Sequence, residues 1–157
     1  MVATSVDEVF EADYERLVRS LAVAFDAESA ADAVQEAFIR ADHSWDSVGS
    51  MDDPAGWVRR VALNRLLNGK RDRARRIAIL ETVRPVRDVD LTAELLDLRN
   101  AIATLPKRMR AALCLHYLAG YPVRDIAEAL AVSEGTVKSN LHDARRRLRT
   151  ELEVSDV

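Results

Sequence analysis

The chain has 157 residues, of which 48% are hydrophobic and 31% charged, with 5 Gly and 4 Pro, a composition too apolar for disorder and pointing to helices in a folded soluble protein. The single cysteine, Cys114, excludes an intrachain disulfide framework, and three scattered histidines give no metal-ligand spacing, so no structural zinc site or redox pair is expected. No apolar run approaches the ~20 residues a bilayer crossing needs, so no membrane insertion is expected.

The net charge of −3 conceals a division along the chain. Residues 1–53 carry 3 basic and 13 acidic side chains, residues 54–87 carry 10 and 2, and residues 88–157 carry 10 and 11. A duplex senses charge within about one Debye length, ~8–10 Å, so the local patches matter more than the sum. The acidic start (Asp7, Glu8, Glu11, Asp13) is unlike a signal or transit peptide, and a cytoplasmic location is expected.

In chain order, Val6, Val9, Phe10, Tyr14, Leu17, Val18, Leu21 and Phe25 recur at intervals of three and four, predicting an amphipathic helix over about 6–25. A second helix over about 29–44 has Ala31, Val34, Phe38, Ala41 and Trp45 as its apolar stripe. Asp32, Gln35 and Glu36 share one face of it at i, i+3 and i+4, with Ile39 beside them. The turn residues of 46–53 predict a loop. Asp53-Pro54 then opens a third helix, with Asp as N-cap and Pro at the first helical position. It is expected to run through Trp57, Val61 and Leu66 into the basic stretch 70–76. Trp45 and Trp57, at helical spacing with Phe38 and Val61, are expected in the core.

Between 77 and 91 the periodicity fails and a linker is expected. Helices resume after Thr92, a candidate N-cap, and again from about Pro106 to just before Gly120. The last pair, about 123–130 and 133–153, is joined by a turn of a few residues. That is the arrangement of a helix-turn-helix, whose second helix enters the major groove. Val137, Leu141, Ala144 and Leu148 fall in one narrow arc and face the core. Gly135, Lys138, Ser139, His142, Arg146 and Arg149 lie toward the other side: short donors for base edges, then arginines for phosphates. The plain alternative is a solvated basic face, but five basic residues and one acid between Lys138 and Arg149 favour a nucleic-acid surface. The fold class expected is therefore all-α: two small helical domains, 1–76 and 92–157, joined by a flexible linker at 77–91, the C-terminal one containing the helix-turn-helix.

Three segments together resemble the extracytoplasmic-function sigma factors of the sigma-70 family. Leu105-Pro106-Lys107-Arg108, Ile126-Ala127-Glu128-Ala129-Leu130, Val132-Ser133-Glu134-Gly135-Thr136-Val137-Lys138-Ser139 and Ala144-Arg145-Arg146-Arg147-Leu148 resemble that family's fourth conserved region. The resemblance implies binding to the −35 promoter element through Ser133, Thr136, Lys138, Ser139, His142, Arg145 and Arg146, and to the flap of the polymerase β subunit. Asp32-Ala33-Val34-Gln35-Glu36-Ala37-Phe38 is similar to the motif that engages the β′ coiled coil, which implies core-polymerase contacts at Asp32, Gln35, Glu36 and Ile39. Asp53 to Arg65 and the basic run resemble the −10 recognition and strand-opening helix, implying DNA contacts at Arg59, Arg60, Asn64, Asn68, Lys70, Arg71 and Arg73. The preceding loop, 46–53, would hold a flipped base of the non-template strand.

The chain departs from the family pattern at several places. Asn140 and Asp143 stand where basic residues are usual, Ala131 where a turn Gly is usual, and Pro122 where a capping Ser is usual. Arg59 and Leu63 replace a common aromatic and a common arginine.

The resemblance further implies core RNA polymerase and promoter DNA as partners, an anti-sigma factor as a regulator, and no cofactor. No nucleophile–base set, Gly-rich phosphate loop or metal cluster is found, so no catalytic or metal-binding residues are expected and an enzyme is not. Two other readings remain at this point. One is a stand-alone helix-turn-helix regulator binding a symmetric operator; the other is a helical adaptor that binds polymerase without DNA. Cys114, between Leu113 and Leu115, is expected to pack as a small hydrophobe rather than sense oxidants.

Overall fold

The computed structural model describes residues 5–69 and 92–155. Among these residues there are eight helices and no strand: α1 (Val6–Ala24), α2 (Ala27–His43), α3 (Trp45–Val48), α4 (Pro54–Asn68), α5 (Ala93–Ala103), α6 (Lys107–Tyr117), α7 (Val123–Leu130) and α8 (Glu134–Ser155). The all-α class is as expected. The proposed linker, 77–91, and the basic run 70–76 lie outside the described residues.

Five of the helices start at a short polar side chain that accepts a backbone N–H left unpaired in the first turn. Ser5 Oγ accepts from Glu8 N at 3.3 Å, Asp26 Oδ1 from Ser29 N at 2.7 Å, and Asp53 Oδ1 from Gly56 N at 3.1 Å. Thr92 Oγ1 accepts from Leu95 N at 3.3 Å and Ser133 Oγ from Thr136 N at 3.1 Å. The caps at Asp53 and Thr92 are those the sequence indicated. Gly56 is demanded by its cap, since a Cβ there would lie 2.5 Å from Asp53 Oδ2.

Two expectations need correction. The segment 46–53 is not all loop: Trp45–Val48 forms a short helical turn, with Val48 buried and Trp45 lying over Gly49. The helix opened by Pro54 does not run unbroken into the basic stretch. It ends at Asn68, where Gly69, with φ −77° and ψ 68°, leaves the helical conformation.

The packing of the two regions, which the sequence left open, is as follows. Helices α1, α2 and α4 bury Leu17, Leu21, Val34, Val58 and Leu63, and the same continuous core takes in Leu115, Tyr121, Ile126, Leu130, Val137 and Leu141 from α6 to α8. A second, smaller core joins Ala24 of α1 to Ile102, Leu105, Met109, Leu113, Cys114 and Ala144. The two helical regions therefore close on each other, with α4 packed against α7 and α1 against α6. Trp45 and Trp57 lie half-buried against the larger core, as their spacing suggested.

Candidate nucleic-acid interface

The helix-turn-helix is formed by α7 and α8. Its turn needs a left-handed residue, and Ala131 supplies it with φ 56° and ψ 46°, the only non-glycine residue at positive φ among those described. The Val132 N–H then donates back to Ala127 O at 3.0 Å, and Arg108 Nη1 donates to Leu130 O at 3.3 Å, tying the turn to α6. A Cβ in this conformation is unfavourable by ~1 kcal/mol or more. Ala131→Gly is accordingly expected to stabilise the chain by ~0.5–1 kcal/mol, net of the added freedom of the unfolded glycine. Denaturant unfolding of the two proteins checks this, and a loss of stability would contradict the strained-turn account.

From that turn α8 presents two sides. Val137, Leu141 and Ala144 are buried, and Leu148 packs on the smaller core. Ser133, Thr136, Lys138, Ser139, His142, Arg145 and Arg146 are all exposed. Every −35 candidate thus lies on the free surface of one helix. Asn140 and Asp143 are half-buried, so neither stands fully on that surface, which limits the repulsion Asp143 would exert on phosphates. Arg145 is steadied by Nη1 donating to Tyr117 Oη at 2.8 Å.

On α2, Asp32, Gln35 and Ile39 are exposed and Glu36 is half-buried. Each polar member has a partner: Arg65 Nη2 to Asp32 Oδ2 at 3.2 Å, Gln35 Nε2 to Tyr14 Oη at 3.2 Å, and Arg40 Nε to Glu36 Oε1 at 3.4 Å. These ion pairs are between solvated side chains and easily exchanged for others. Beside them lies an aromatic group drawn from the apolar spacings of α1 and α2. Phe10, 42% exposed, stacks on Tyr14 at 4.3 Å and meets Phe38 edge-on at 5.1 Å. Ile39 is 51% exposed, so the acidic face also carries apolar surface of the kind that partners cover.

The −10 candidates divide. Arg60, Asn64 and Asn68 are exposed on α4, while Lys70, Arg71 and Arg73 lie outside the described residues. Arg59 is 4% exposed and turned inward. Its Nη1 lies 3.4 Å from Asp13 Oδ2, and its Nη2 lies 3.1 Å from Asp53 Oδ2 and 3.8 Å from Asp125 Oδ2. It is not a free phosphate ligand in this arrangement, because carboxylates already occupy it. Asp13 and Tyr121 were missed by the sequence reading, though Asp13 falls in the i, i+4 series Val9, Asp13, Leu17, Leu21 and so on the buried side of α1.

Cys114 is buried, and burial pushes its thiol up to about 12, with nearby Arg110 opposing. Burial, then the Asp13 carboxylate, also raises the Tyr121 phenol. Both are held neutral by folding. Their contribution is complete below the unfolded-state pKa values, ~8.5 for Cys and ~10 for Tyr, and is withdrawn as pH rises beyond them. Stability is expected to fall in the alkaline range, and Cys114 should be alkylated at pH 8 only at the rate of unfolding. Fast labelling of the native chain would contradict its burial.

No helix among the described residues is long and apolar enough to cross a membrane. Residues 12–76 match the family model for sigma-70 region 2, and residues 95–148 match that for sigma-70 region 4. The chain is 33% identical over 145 residues to the ECF RNA polymerase sigma factor SigM of Mycobacterium tuberculosis, covering 90% of this chain and 74% of SigM. It is 33% identical over 136 residues to SigL of the same species, covering 82% and 77%, and 31% identical over 135 residues to the RNA polymerase sigma-E factor of Streptomyces antibioticus, covering 84% and 75%. The fold is shared with the sigma factor RpoE of Bartonella quintana, crystallised with the anti-sigma factor NepR. There the TM-score is 0.68 at 23% identity, over 95% of this chain and 94% of that one. The chain belongs to the ECF RNA polymerase sigma factors of the sigma-70 family.

Proposed function

We propose that the chain directs core RNA polymerase to specific promoters, docking through the α2 face and reading DNA through α8 and α4. The observation that carries this reading is α8: a capped helix whose opposite stripe is buried, with all seven −35 candidates left exposed. Lys138, Ser139 and His142 meet base edges, and Arg145 and Arg146 meet phosphates. The −10 element falls to Arg60, Asn64 and Asn68 with the basic run beyond Gly69.

The division of labour follows the sequence: 1–76 for core polymerase and the −10 element, 77–91 as connection, and 92–157 for the −35 element. Asp32, Gln35, Glu36 and Ile39 dock the β′ coiled coil. The apolar groove lined by Leu98, Ile102, Leu113, Tyr117, Leu118 and Leu148 suits the β flap. Catalysis and cofactors belong to the polymerase, and the chain acts in the cytoplasm. An anti-sigma protein is a further expected partner, as with the Bartonella quintana RpoE that was crystallised with one.

Replacing Lys138 with alanine removes a base-edge donor worth ~1–3 kcal/mol of discrimination, about 5- to 150-fold. Start sites mapped with the variant and core polymerase should shift away from promoters carrying the preferred −35 bases, while −10 preference is retained. Unchanged promoter selection would contradict the assignment of α8.

A further inference from the structure

Arg145 follows Lys138 and His142 by seven and three positions on the exposed side of α8. Its neighbours at three and four positions either way are Leu141, His142, Leu148 and Arg149, so no carboxylate of its own helix is placed to orient it. Asp143, the one acid between Lys138 and Arg149, stands two positions away and points to another side. Arg149 carries the same charge and adds only repulsion. The direction of Arg145 has to be set from outside its helix.

It is set from α6. Tyr117, the last residue of that helix, is 53% exposed. Its ring meets His116 edge-on, with ring centres 4.9 Å apart, and His116 Nδ1 lies 2.9 Å from Tyr121 O. The phenol braced in this way accepts from Arg145 Nη1 at 2.8 Å, joining the end of α6 to the middle of α8.

The kind of acceptor matters. Arg59 is held by the carboxylates of Asp13 and Asp53, at 3.4 and 3.1 Å, which neutralise it. A hydroxyl is uncharged. It fixes the direction of one N–H and leaves the positive charge and the rest of the guanidinium fork for a phosphate. An arginine without such a hold gives up rotamer freedom when it binds.

We propose that Tyr117 is a positioning residue for DNA binding: from α6 it holds the Arg145 guanidinium in place for a backbone phosphate beside the bases met by Lys138 and His142. The phenol acts through Arg145 and not on DNA. Because phosphate contacts fix register without reading sequence, Tyr117 adds affinity and leaves base preference unchanged. This inference rests on the DNA-binding role given above to α8.

The test is a double-mutant cycle in the full chain without polymerase. Binding to a duplex bearing a −35 element recovered by start-site mapping is followed by fluorescence anisotropy at several salt concentrations. Tyr117→Phe keeps the ring and its contact with His116 and removes only the hydroxyl. It is expected to weaken binding about 2- to 10-fold, the cost of immobilising one unrestrained side chain. Thermal unfolding should not change, nor should the ratio of affinities for duplexes differing in their −35 bases.

Arg145→Ala should weaken binding further and lower the salt slope by about 0.9, the share of one phosphate. In the Arg145→Ala background Tyr117→Phe should cost nothing more, a result that neither a structural tyrosine nor one touching DNA directly would give. Equal losses in the two backgrounds would overturn the proposal, as would unchanged or tighter binding by Tyr117→Phe alone. A silent Arg145→Ala would remove the phosphate contact of α8 itself and the proposal with it, so the two failures are told apart.

Discussion

Replacing Asp32 and Glu36 together with alanine is expected to abolish co-purification of the chain with core polymerase while leaving its fold intact. Both parts of the expectation come from the same geometry. The two carboxylates pair with half-exposed Arg65 and Arg40, and exposed pairs of this kind contribute ~0–1 kcal/mol to stability. At an interface that excludes water, the same carboxylates would face a basic partner helix, and truncating one side of a desolvated pair costs ~2–5 kcal/mol, about 30-fold or more in affinity. Phe10 and Ile39 would be covered at the same time, adding apolar burial around the charges. Pull-down with core polymerase, alongside thermal unfolding, separates the outcomes. Undiminished binding would remove the docking assignment, and a collapse of stability would show that the face is structural.

The second large effect is on folding. Leu141, 3% exposed in the middle of α8, is part of the core shared by both regions. Leu141→Ala removes three buried carbon atoms and leaves a cavity, so a loss of ~2–5 kcal/mol is expected. That is a substantial part of the stability of an ordinary domain. Because Leu141 lies on the same helix as Lys138 and His142, DNA binding should fall with it. The loss should track the unfolded fraction rather than a change in base preference. A variant of unchanged stability would contradict the placement of α8 on this core.

What was legible in the sequence is what depends on nearest neighbours along the chain. The caps at Asp53 and Thr92 need only a short polar side chain three residues before a free N–H. The stripe of Val137, Leu141, Ala144 and Leu148 needs only the helical period. Ala131 stood out only through the family resemblance, as an alanine where a turn Gly is usual. Less visible was α3, since Trp45–Val48 is a single helical turn among Ser, Asp and Gly that read equally well as loop.

Closure of the two regions was not legible. Tyr121 meets Asp13 across 108 residues, and no periodicity announces such a contact. The inward turn of Arg59 was hidden for a related reason: a basic residue on a basic helix looks solvated until its carboxylate partners are located. The one available hint was Asp13, a carboxylate inside an apolar i, i+4 series, which signals a buried charge in need of a cation.

A sigma factor confers start-site choice on a polymerase that lacks it. Run-off transcription on fragmented genomic DNA, with core polymerase alone and with the purified chain added, tests that most directly when the RNA 5′ ends are sequenced. Addition of the chain is expected to produce a discrete set of starts sharing two separated, asymmetric sequence boxes. The same unspecific background with and without it would contradict the account.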